Sequence, residues 1–148
     1  MGDIKEKFYK DAIDEYKKRI SRFASLNIVE LKENNPASNS ISDINNALKK
    51  DYIEISKHLK GYVVCLDKDG TQLQSEEFSK FIEKTSLTSS EISFIIGASN
   101  GIDEELKTKC NKKISFSKMT FPHQLMRVIF LEQLYRAFTI LNNIAYHK

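Results

Sequence analysis

Residues 114–138 read ISFSKMTFPHQLMRVIFLEQLYRAF, a short alternating apolar segment, six mostly polar or special residues, then a long apolar helical pattern. Ser117, Lys118, Thr120 and His123 place two further hydroxyls, an ammonium and an imidazole between elements that both read as buried. Part of this polarity is helix initiation, since Pro122 fits the first turn of the following helix and Thr120 or Phe121 its cap. Helix initiation leaves Phe116 to Lys118 unexplained. In open α/β sheets, ligands collect beyond the carboxyl ends of the strands, which draws attention to three segments: 66–71, 97–101 and 116–121. GASNG, residues 97–101, has glycine at both ends, so its backbone can approach a ligand closely and turn free amides toward it. Such turns also end many buried strands, and this one matches neither GxGxxG nor the Walker lysine pattern. His123 and Arg127 are four apart and share a helix face.

The elements that must position these residues follow from periodicity. At 148 residues, 41% hydrophobic and 29% charged, the chain reads as one domain with a proper core. Phe8, Ala12, Tyr16 and Ile20 recur every four residues and predict an amphipathic helix over 4–22. LNIVEL, 26–31, reads as a strand, and ENNPASNS as a loop. A helix over 41–59 leads to YVVCL, 62–66, an unbroken apolar run suited to a strand covered on both faces and ending at the DKDG turn. Ser75 reads as the cap of a helix carrying Phe78, Phe81 and Ile82, and ISFII, 92–96, as the next strand. A short helix over 103–111, a strand at ISFS and a helix over 122–140 complete the order. Strand and helix alternate, which predicts an α/β fold, a mostly parallel sheet with helices on both faces. The last helix is apolar on nearly every side and requires a second cover, expected from another copy of the chain in a homodimer.

Composition bounds the partners. The apolar stretches are broken by Arg127, Glu132 and Arg136, and the opening MGDIKEKFYK has no apolar signal segment, so a soluble, cytoplasmic protein without membrane association is expected. Cys65 and Cys110 have neither disulfide-framework nor zinc spacing and read as reduced packing residues, with no metal implied. Residues 107–148 hold eight Lys or Arg against the single acid Glu132, on a chain whose net charge is only +3. A basic third on an otherwise acidic chain fits a polyanion-binding face, or equally a solvated helix surface. Arg127 accordingly reads as a phosphate contact or as a dimer salt bridge, His123 as a site residue or as the finish of a helix N-terminus. Arg136, one turn after Glu132, reads as its partner.

IIGASNG, ISFSKMTFPHQLMRVIFLEQLYRAF and the closing AYHK together resemble the ribosomal RNA large-subunit methyltransferase H family, and the resemblance runs back to KEKFYKDAIDEYKKR. It implies a SPOUT enzyme that uses S-adenosylmethionine to methylate N3 of a pseudouridine in the 23S rRNA of assembled ribosomes. It also implies a sheet whose C-terminal segment threads a loop as a trefoil knot, an exception to the rule against threading. By matching motifs, the cofactor would be surrounded by Leu66, Gly97, Phe116, Ser117, Lys118, Met119, Thr120 and Phe121. His123, Arg127, Tyr146 and His147 would serve the RNA and the target base, with the Tyr-His-Lys end of one subunit near the active site of the other. The N3 proton must leave, by a base or by electrostatic favouring of the ionised form.

Three departures accompany the resemblance, the smallest being KKDYIE where the family tends to carry a Lys-Glu-Gly run. The family begins with a β-strand where this sequence has MGD, so the sheet is expected to lack that strand and expose an edge. GASNG carries Ala98 where a second glycine is common, which is tolerated if the φ of Ala98 is negative. An RNA-binding or ribosome-associated module of the same fold, without methyl transfer, is the alternative from another functional class.

Overall fold

The computed structural model describes residues 1–146. Its elements in chain order are α1 (Lys7–Ile20), α2 (Ile41–Ser56), β1 (Tyr62–Gln72), α3 (Ser75–Thr88), β2 (Ile92–Ile96), α4 (Glu104–Lys109), β3 (Lys112–Ser115) and α5 (His123–Leu141). The three strands form one parallel sheet in the order β2-β1-β3. Successive side chains alternate between its faces. Val64 and Ile114 join Ile13, Ile20, Phe78, Ile82, Phe130 and Leu134 beneath α1, α3 and α5. Cys65 and Ile95 join Ile55, Ile102 and Leu106 beneath α2 and α4. Helices therefore cover both faces, and each fully buried Ile or Leu contributes about 1.5–3 kcal/mol through removal from water.

The breadth of apolar surface on α5 is largely engaged within one chain. The helix packs against both α1 and α3 as well as against β2. Phe130 tilts against Phe94 with ring centroids 4.7 Å apart, and Phe138 stacks on Phe23 at 5.6 Å. The second cover that the sequence reading assigned to another subunit is thus supplied in good part by α1 and α3.

Residues 26–31 form no strand. Gly2 N donates to the Leu31 carbonyl at 2.9 Å and the Met1 amine to the Ile96 carbonyl at 2.9 Å, so the first two residues lie between this segment and the edge of β2. Two residues cannot form the ladder that would make 26–31 a strand, although Leu26 and Ile28 still pack on the core. Among the described residues, none before α1 is in a strand.

Other boundaries shift for local reasons. β1 continues through DKDG, but its register against Ile114 jumps from Leu66 to Thr71, so residues 67–70 arch out as a bulge. α3 is capped at Gln74, whose N–H donates to Glu77 Oε2 at 2.8 Å, while Ser75 Oγ instead donates to Gln133 Oε1 at 3.0 Å. α5 has Pro122 at its N-cap, with no side-chain cap. Asp103, capping α4, accepts from Glu105 N and Leu106 N.

Candidate active site

Leu66 stands at the centre of the carboxyl edge of the sheet. It is paired with Ile96 on one side and Ile114 on the other. Gly97 follows Ile96 directly, and Phe116 lies two residues beyond Ile114, so the three strand ends singled out from sequence converge. Directly after Leu66, the nearly buried Asp67 carboxylate meets Lys107 Nζ at 2.7 Å. Burial opposes charge on both groups, and their mutual hydrogen bonding, with Glu104 beside Lys107, outweighs it. Asp67 therefore titrates below its ordinary 3.8 and Lys107 above 10.5. This ion pair anchors α4 to the end of β1.

The 97–101 turn is closed upon itself. A Cβ on Gly97 would meet the Gly101 carbonyl oxygen at 2.7 Å and Ile102 Cγ1 at 2.8 Å, so glycine is required there by the turn's own packing. Gly101 has φ +85°, a left-handed conformation in open space. Ala98 bridges Gly101 with a φ outside the positive region, as its tolerance required. Glu33, from the loop after 26–31, accepts from Ser99 N at 3.1 Å. Sequence reasoning passed over Glu33, because its partner is 66 residues distant and no spacing rule connects them.

The loop after β3 is built differently. Ser115 Oγ donates to the Ser117 carbonyl at 2.9 Å, and Ser117 Oγ accepts from Met119 N at 2.9 Å. Phe116 turns inward, its ring meeting Phe78 at 6.1 Å and Phe130 at 6.3 Å. Lys118 and Thr120 are exposed, Met119 is 73% exposed and Phe121 39%. Residues of this loop line two cavities. One, of about 280 Å³, is lined chiefly by Leu73, Ile114, Phe116, Phe121, Ile129 and Gln133. The other, an open cleft of about 540 Å³, is lined by Lys68, Asp69, Gly70, Gln72 and Lys118. Leu66 and Gly97 line neither.

At the start of α5, His123 presses on the first residues of the chain. Its Nε2 lies 2.9 Å from where a Cβ on Gly2 would stand, and Gly2 has φ +82°. Burial, then the nearby Arg127 guanidinium, hold the imidazole below its ordinary 6.5. Arg127 is itself buried, 7% exposed, and its Nη2 donates to the carbonyls of Met1 and Gly2. Its Nη1 is 3.9 Å from Glu30 and lacks a hydrogen-bond partner. The two residues share a face as read from the sequence, but Arg127 is turned to backbone carbonyls and not to solvent.

Tyr146 folds back on its own α5. Its hydroxyl donates to Glu132 Oε1 at 3.2 Å, and its ring meets Tyr135 at 4.8 Å. Burial first, then hydrogen bonding with Tyr16 and Glu132, push the phenol up to about 12. Arg136 pairs with Glu132 at 2.5 Å, as its spacing indicated. His147 lies outside the described residues. The basic segment is also less open than its composition implied: Lys107, Lys109 and Arg136 are in ion pairs and Arg127 is buried. Lys113 and Lys118, both exposed, carry its remaining charge near the carboxyl edge.

With this geometry in place, comparison with known proteins is decisive about family. A family profile described as "Predicted SPOUT methyltransferase" matches residues 1–147. The chain belongs to the SPOUT methyltransferase family. Within it, a protein of Caldicellulosiruptor saccharolyticus named ribosomal RNA large subunit methyltransferase H is 46% identical over 150 aligned residues, covering 100% of this chain and 96% of its own. Proteins of the same name from the Kyoto and Okra strains of Clostridium botulinum are each 50% identical over 152 residues, with the same coverage. The resemblance read from GASNG and SFSKMTFPHQLMR is thereby established over the full length. Among the described residues, no helix is long and apolar enough to cross a membrane, and no cluster of His, Cys, Asp or Glu could hold a metal ion. Cys65 and Cys110 are free thiols.

Proposed function

We propose that this protein methylates 23S rRNA in assembled ribosomes, at N3 of a pseudouridine, using S-adenosylmethionine in the cytoplasm. The observation that carries the reading is the convergence of three parallel strand ends in register, Leu66 between Ile96 and Ile114, with a partly exposed loop whose residues line two cavities. A transfer between two substrates needs donor and acceptor side by side, and positioning accounts for much of its barrier. The smaller cavity, lined mostly by apolar side chains with Ser115 and Gln133 as polar members, has the character of a nucleoside site. Of the residues proposed to hold the cofactor, Phe116 and Phe121 line this cavity, while Leu66, paired with the cavity-lining Ile114, and Gly97 would contribute backbone from the neighbouring strand ends and Ser117 to Thr120 backbone and small polar groups. The cofactor supplies a methyl group on a sulfonium centre.

His123 is favoured as the group facing the N3 proton. Its depressed pKa leaves it neutral near pH 7, with a lone pair available. Arg127 then acts as a positioning residue that fixes the segment beneath His123. Tyr146 and His147 would complete the RNA-facing site from the second subunit of a homodimer.

Calorimetry with S-adenosylmethionine and mass spectrometry of 23S rRNA after incubation with ribosomes test the reading. Donor binding and one added methyl on the pseudouridine are expected. A folded protein that binds RNA but no donor would establish the RNA-binding module instead.

A further inference from the structure

The larger of the two cavities is unclaimed by the cofactor reading except at Lys118. We propose that this cleft, between residues 68–72 and the loop at Lys118, seats the RNA strand carrying the target nucleotide, with Lys68 and Lys118 contacting its phosphates. This inference rests on the functional reading above and assigns the acceptor's path within it.

Size and shape suit a polymer. About 540 Å³ falls in the roughly 300–1,000 Å³ range of sites that hold a nucleotide-sized group. The cleft is open, so a strand can enter and leave while one base, taken out of its stack, turns toward the donor. Charge suits it as well. Among the described residues, Lys118 forms no ion pair and Lys68 meets the exposed Asp69 at 3.6 Å, a contact of small worth in water. Among the lysines and arginines of the 107–148 segment, Lys107, Lys109 and Arg136 are already paired.

Both walls are held in place before any strand arrives. Gly70 is pressed against the Lys113 and Ile114 backbone, where a side chain would collide at 2.7–2.8 Å, and Gln72 pairs in register with Ser115. The opposite wall is braced by the Ser115 and Ser117 hydrogen bonds. Lys118 belongs to the same loop as Phe116 and Phe121, which line the neighbouring cavity, so a nucleotide here adjoins the donor site. Gln72 offers a neutral amide on the lining. Asp69 opposes a phosphate and releases Lys68 when one binds.

The test is fluorescence anisotropy with a labelled single-stranded RNA oligonucleotide, titrated between roughly 50 and 200 mM salt, where phosphate contacts set the slope. Lys68→Ala should weaken binding about fivefold and reduce the salt slope by about one unit. Lys68→Arg should restore both, and Asp69→Asn should tighten binding. Calorimetry should find S-adenosylmethionine affinity unchanged in Lys68→Ala. Lys84→Ala, on the exposed face of α3, should change nothing. Wild-type affinity and slope in Lys68→Ala, or an equal loss in Lys84→Ala, would overturn the assignment. Failure of the wild-type protein to bind the donor would instead strike the functional reading, and the lysine comparison would still report whether RNA lies in the cleft.

Discussion

The turn at 97–101 and the loop at 117–121 leave strand ends on opposite sides of β1, yet they are built on opposite terms. The turn is filled by its own chain: Gly97 has no room for a methyl group, and Ser99 is tied to Glu33. The loop is fastened only near its base by two serine hydroxyls and leaves Lys118, Met119 and Thr120 in solvent. One edge of the site is therefore rigid backbone and the other is a set of adaptable side chains. Rigid donors suit a ligand recognised the same way every turnover, and free side chains suit one that must enter and leave.

The sharpest way to break this contrast is Gly97→Ala. The added methyl must displace the Gly101 carbonyl or Ile102, so a loss of about 1–3 kcal/mol in stability is expected by urea denaturation. Because Gly97 is proposed to meet the donor through its backbone, displacement of the turn should separately weaken donor affinity, by roughly tenfold in calorimetry, about 1.4 kcal/mol of binding. Unchanged affinity would mean that the turn gives way as readily as the loop. Glu33→Ala removes the acceptor of Ser99 N and should cost about 1 kcal/mol in stability by urea denaturation, with donor affinity weakened less than in Gly97→Ala.

At the junction of loop and α5, His123 provides a contrast in pH. Its folded-state pKa lies below 6.5, so the unfolded chain takes up a proton first as pH falls. Its contribution to stability is complete above about 6.5 and declines as pH drops toward the lower folded value. Thermal melts across this window should show the decline, and His123→Gln should flatten it. Met119→Ala should have the smallest effect on folding, within about 0.5 kcal/mol, because the side chain is 73% exposed. Any change it makes should appear in donor affinity measured by calorimetry and not in the melting temperature.

How much was legible depends on the range of the interaction. The periodicity of Phe8 to Ile20 located α1, and the unbroken apolar runs located β1 and β2, because each reflects burial decided within a few residues. The strand read at 26–31 failed for the complementary reason. Its pattern was right, but a strand exists only with a ladder, and only Met1 and Gly2 reach the space between it and β2. The cofactor segments were legible as strand ends followed by special residues. The lining of the open cleft by Lys68 and Gln72 was not, because the bulge at 67–70 that brings them opposite Lys118 is a matter of register.

Sequence alone determined the alternation of strands and helices, the covered faces of the sheet, the three strand ends and the family. These rest on local pattern and on long identical strings, which need no coordinates. Tertiary structure decided which cations are paired, that Arg127 holds backbone carbonyls, that Glu33 closes the 97–101 turn, and that one loop lines two cavities. Each of those joins residues distant in the chain, and the free energy of such contacts depends on geometry that no spacing along the chain encodes.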